Sequence, residues 1–110
     1  MKITNVIPHL LTTQWTDDPW FPQMLHSTAL VRIETDSKLD GLGEITLGYF
    51  AGETVLPLVE YFKLVLMGRD PMDTLGLTNA MLATCVWWGR AGMARSVISG
   101  IELALWDLKG

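Results

Sequence analysis

Twelve carboxylates, two histidines and one cysteine are the side chains here that could do acid–base, metal or nucleophilic work. Glu44 follows Gly41-Leu42-Gly43 as a lone carboxylate. Without a second acid or a metal cluster beside it, it reads as a structural hydrogen-bond acceptor rather than a catalytic group. His9 and His26 are far apart and sit in no recognisable ligand spacing. Asp107 and Lys109 lie two apart on a predicted helix and so do not share a face. Asp107 is expected near the helix end or in a local hydrogen bond. Cys85, in an apolar context, reads as a buried inert thiol rather than a nucleophile. Arg90 and Arg95 could meet an anion, but read as interface or surface cations. No catalytic residue and no metal ligand is assigned to this chain. What remains is a set of large side chains on two predicted loops. Trp15, Trp20 and Phe21, with His26, lie on the first, and Tyr49 and Phe50 on the second. Apolar loop residues of this kind can exclude water from a closing site, with His26 offering a hydrogen bond to a substrate. The alternative for the aromatics is packing against another surface.

The elements that must hold these loops follow from periodicity. Ile3 to Leu11 predicts a first strand, with Pro8 marking an edge position or a bulge. Gln14 to Ser27, with its prolines and aspartates, predicts a long loop. Thr28 to Asp36 predicts a second strand, in which Val31 and Ile33 face one side and Arg32 and Glu34 the other. Ser37 to Asp40 is a polar turn, and Asp40 to Leu47 a third strand. Gly41 and Gly43 in that strand fit a turn, a bulge or the close approach of something large. Gly48 to Gly52 is the second loop. A helix starts near Glu53 or Thr54, with Pro57 tolerated only in its first turn. It buries Val55, Leu58, Val59, Phe62 and Leu66, and Gly68 ends it.

Asp70 and Pro71 predict the N-cap and first residue of a second helix, with Asp73 at its positive end. Leu75, Thr78 and Leu82 form a thin apolar face there, and Gly76 costs about 1 kcal/mol relative to Ala. The connection from Cys85 to Arg90 leads to the final helix. Its stripe is Ala94, Val97, Ile98, Ile101, Ala104, Leu105 and Leu108. At Ser99 and Gly100 the side chains are small enough for another backbone to come close. Strands first and helices after them give an α+β domain, a three-stranded antiparallel meander followed by three helices.

At 110 residues the chain is expected to make one domain, spanning 1–110. Almost half of it is apolar (49%) and under a fifth charged (18%), with five Trp and six Met. That is more apolar surface than so small a domain can bury, which predicts contact with a partner. The net charge of −4 is spread without a basic run, so nucleic acid is not an expected partner. Charged residues interrupt every long apolar stretch, so no membrane span is predicted. A single cysteine excludes an internal disulfide framework and fits a reducing compartment, here taken as cytoplasmic.

The order of these segments resembles a known family. A meander carrying Gly41-Leu42-Gly43-Glu44, a helix from Glu53, then Gly68-Arg69-Asp70-Pro71, closes on Ser99-Gly100-Ile101-Glu102-Leu103-Ala104-Leu105-Trp106-Asp107-Leu108-Lys109-Gly110. This resembles the N-terminal capping domain of the enolase superfamily, in its mandelate racemase and muconate lactonizing branch, over essentially the whole chain. The closing Ala-Leu-Trp-Asp-Leu-Lys-Gly segment is the most specific part. Trp87-Trp88-Gly89-Arg90 is most similar to members that dehydrate sugar acids.

The resemblance implies an enzyme in which this domain is paired with a (β/α) barrel. The barrel would hold Mg²⁺ on three acidic ligands and carry the Lys or His bases that abstract a proton α to a carboxylate. The capping domain would supply two loops that close over a small carboxylate substrate, corresponding to Gln14–Ser27 and Gly48–Gly52. The sequence stops where that barrel is expected, since a barrel needs about 200 residues or more. The chain is therefore expected to be inactive alone, with the barrel as its partner. Most of the expectation falls on a sugar-acid dehydratase, with a racemase or cycloisomerase as the alternatives within the family. An alternative of a different class is a stand-alone binding or homo-oligomeric module that uses the same apolar surface.

Overall fold

The computed structural model describes residues 1–14, 25–48, 52–89 and 92–110, with only the backbone at 13–14 and 25–27. Three strands, β1 (Ile3–Gln14), β2 (Leu25–Thr35) and β3 (Asp40–Ile45), form an antiparallel sheet in the order β1-β2-β3. A 3₁₀ turn (Gly52–Thr54) leads into α1 (Val55–Leu66), followed by α2 (Thr74–Thr84) and α3 (Met93–Lys109). The architecture is the α+β meander-then-helices arrangement expected from the sequence.

Alternation along the strands divides the sheet into two faces. Val6, Val31 and Ile33 are fully buried on one, together with Ala29 and Ile45. Arg32 and Glu34 stand on the other, joined to each other at 2.6 Å. Pro8 falls on the edge strand β1, where its missing N–H costs no ladder bond. Beneath the inner face, α1 packs against β1 and α3 against β3, while α2 packs against both other helices. All seven predicted stripe residues of α3 are buried, and Gly100 with them. In α1, Val55, Val59, Phe62 and Leu66 are buried, and Leu58 packs on the core from its edge. Gly68 adopts φ +78° with open space around it, so backbone conformation rather than crowding calls for glycine there. Its N–H then donates to Ile3, and Ile3 donates to Arg69, which ties the end of α1 to the start of β1.

Four local expectations are corrected. The first two strands are longer than predicted and the first loop correspondingly shorter: Thr13 pairs with His26 and Gln14 with Leu25. Ladder pairing across the hairpin extends both strands into residues whose local signal was weak. Conversely β3 stops at Ile45, two residues early, because the Leu47 N–H turns away to the Ser96 hydroxyl at 3.0 Å.

The third correction concerns the start of α2. Asp73, not Asp70, is its N-cap, accepting from the Gly76 N–H at 3.1 Å. Asp70 instead closes a turn by accepting from the Met72 N–H at 2.9 Å, and Pro71 lies before the helix. The fourth is the phase of α2. Its core face is Thr74, Leu77 and Met81, whereas Leu75 is 74% exposed. Apolar residues lie on both sides of this helix, so tertiary packing selects the buried face.

Candidate functional site

The meander brings the bases of both candidate loops to one end of the sheet. β1 and β2 remain paired beyond Leu10 and Ala29 as far as Gln14 and Leu25, while β3 ends with Ile45 opposite Ala29. A two-stranded ribbon therefore projects past the third strand and carries the segment between Gln14 and Leu25. The chain leaving β3 towards Tyr49 and Phe50 starts beside the foot of that ribbon. Trp15, Trp20, Phe21, Tyr49 and Phe50 themselves lie outside the described residues, as does Arg90. His26 stands in β2 opposite Thr13 rather than in a loop, and only its backbone is described.

A tight seam between β3 and α3 supports this end. A Cβ added at Gly41 would collide with the Ala104 carbonyl oxygen, and one at Gly43 with the Gly100 carbonyl oxygen. From the other side, a Cβ at Gly100 would meet Ile45 Cγ1 and come within 2.8 Å of the Glu44 carbonyl oxygen. Of the three roles open to Gly41 and Gly43, close approach is the one realised, and the partner is the helix backbone at small residues.

Two polar side chains of α3 bracket the seam. Ser96 accepts from Leu47 near the loop end, and Asp107 accepts from the Leu42 N–H at 2.9 Å near the other. Asp107 lies near the helix end, one of the two placements expected for it, and its bond reaches across the fold rather than being local. No short-range pattern signals either contact, because the partners are separated by most of the helical region. Glu44 has an exposed side chain on the outer face, opposite Leu30 in β2, and His9 is exposed on that face opposite the same leucine.

Cys85 is buried, and its thiol lies 3.3 Å from the Met81 carbonyl oxygen, to which it donates. Burial pushes the thiol above its ordinary pKa, against smaller downward pulls from a backbone hydrogen bond and the Arg95 charge. Such a group is protonated and a poor nucleophile at neutral pH. Among the described residues no group of three or more His, Cys, Asp or Glu side chains could hold a metal ion. Among the same residues, no helix is long and apolar enough to cross a membrane.

Large apolar side chains remain in solvent along the α2–α3 connection and the outer face of α3. Trp87 is 95% exposed, with Val86 and Met93 nearby in sequence and Leu103 and Trp106 on the last turns of the helix. Trp88 is anchored by stacking on Phe62 and an edge contact with Tyr61. Lys109 lies over the Trp106 ring at 4.4 Å.

Among the described residues, an antiparallel meander is covered on one face by three helices, with the bases of the two candidate loops at one end, which is a capping-type α+β architecture. A family model for the mandelate racemase / muconate lactonizing enzyme N-terminal domain matches residues 23–110, and the chain belongs to that family. It is 34% identical over 116 residues to D-galactarolactone cycloisomerase of Agrobacterium fabrum, covering all of this chain and 29% of that protein. It is 32% identical over 110 residues to D-galactonate dehydratase of Variovorax paradoxus, covering all of this chain and 25% of that one. The chain thus spans a quarter to under a third of the curated relatives it matches. Among solved structures, a racemase from Streptomyces coelicolor A3(2) with bound magnesium superposes with a TM-score of 0.81 at 28% identity. That match covers 97% of this chain and 31% of the racemase.

Proposed function

We propose that residues 1–110 form the capping and substrate-specificity domain of a Mg²⁺-dependent enolase-superfamily enzyme. The observation that carries this reading is the family match over residues 23–110, together with relatives that are sugar-acid and sugar-lactone enzymes. The enzyme would remove a proton α to a carboxylate, the step that dehydration, racemisation and cycloisomerisation share. A sugar acid is the substrate class, and elimination of water is the outcome we favour. The cycloisomerase relative makes ring opening or closure of a sugar lactone the main rival.

The metal and the bases belong, in this reading, to a barrel domain. The bound magnesium of the Streptomyces racemase supports a metal in the family, and the described residues of this chain offer it no ligand set. This domain's own contribution is steric and dielectric. Trp15, Trp20, Phe21, Tyr49 and Phe50 would shield the substrate from water, and His26 would donate or accept a hydrogen bond at its hydroxyls. The gathering of both loop bases at one end of the sheet supports this division of labour. The exposed Trp87, Leu103 and Trp106 supply apolar surface for the barrel to cover.

The test is to isolate the natural gene product that carries this sequence, measure its intact mass, and incubate it with Mg²⁺ and a panel of aldonic acids, aldaric acids and their lactones. We expect a mass well above 12.3 kDa and a product lighter by one water or isomerised, with no turnover by the 110-residue chain alone. A natural product of about the mass of this chain that is a well-behaved monomer or closed oligomer would overturn the reading in favour of a stand-alone binding module. Turnover by the 110-residue chain itself would contradict the assignment of the chemistry to a barrel.

A further inference from the structure

We draw no further inference here: the strongest candidate, the open cavity of about 340 Å³ between the end of α2 and the start of α3, lined by Leu82, Cys85, Val86, Gly89 and Arg95, carries nothing because its one reactive group is a lone buried cysteine and nothing in the structure shows what ligand or partner fills it.

Discussion

The carboxylate of Asp107, on the last turn of α3, accepts the backbone N–H of Leu42 on the edge strand β3 at 2.9 Å. Leu42 is on the strand's free side, since β3 has a sheet neighbour only in β2. The bond therefore satisfies an edge donor and fixes the register of helix against strand. Replacing Asp107 with Ala should cost about 1 kcal/mol, the net worth of one hydrogen bond whose charged acceptor is exposed to solvent. That lowers the melting temperature by roughly 4–8 °C in a domain of this size. Asp107→Asn keeps an acceptor and should recover most of the loss. Thermal and urea unfolding of the three proteins decide it. Equal stability of the Ala variant and the parent would show the contact to be energetically idle.

The glycine seam makes a sharper prediction, because two effects oppose each other at one position. In an exposed helix interior, Gly→Ala should stabilise by about 1 kcal/mol through propensity. At Gly100 the added methyl would meet Ile45 and the Glu44 carbonyl. Gly100→Ala is therefore expected to destabilise, by about 1–3 kcal/mol as overpacking does elsewhere. Gly43→Ala should behave likewise against the Gly100 carbonyl, and the pair should be non-additive because the two sites face each other across the seam. Gly68→Ala is the control. It faces open space but holds φ +78°, and should cost about 1–2 kcal/mol through backbone strain alone. Urea midpoints at unchanged slope separate these cases.

What was legible in the sequence follows the range of the interactions involved. The stripe of α3 repeats with helical spacing over more than four turns, and every member is buried. Alternation in β2 likewise assigned Val31 and Ile33 to the core and Arg32 to the other face. Pro71 argues locally for Asp70 as the cap of α2, with Asp73 inside its first turn. The choice of Asp73 comes with the burial of Thr74, Leu77 and Met81, which depends on α1 and α3. The ribbon beyond Leu10 and Ala29 depends on cross-strand pairing, and the Asp107–Leu42 and Ser96–Leu47 bonds join segments remote in sequence. For the candidate site, the sequence named the aromatic residues, and the fold adds that the feet of their two segments share one end of the sheet.

Cys85 offers a test of the core behind α2. Burial raises its pKa, so the folded protein holds the proton more tightly than the unfolded chain does. Its contribution to stability is complete below the unfolded thiol pKa of about 8.5 and is lost as pH rises above that value towards the folded pKa. Stability should therefore decline on the alkaline side, and Cys85→Ala should flatten that part of the decline at some cost in packing. Alkylation of the native thiol at neutral pH should be slow and should accelerate on adding urea. Rapid labelling of the folded protein at neutral pH would contradict a buried thiol.

The exposed tryptophans connect the fold to the proposed function. Trp87 is 95% exposed, and Trp106 is 54% exposed with Lys109 over its ring. Replacing Trp87 with Ser should change domain stability by no more than about 0.5 kcal/mol, and replacing Trp106 with Gln should cost about 1 kcal/mol through the lost cation–π contact and packing. If a barrel covers this surface, the same substitutions in the natural gene product should weaken the union of the two domains. Limited proteolysis should then release the capping domain faster, and KM for the sugar acid should rise as the loops lose their seat. In the isolated domain the substitutions should instead lower binding of a hydrophobic dye and reduce self-association. Unchanged proteolysis and kinetics in the gene product, alongside reduced self-association of the isolated chain, would assign this surface to contacts between copies of the domain.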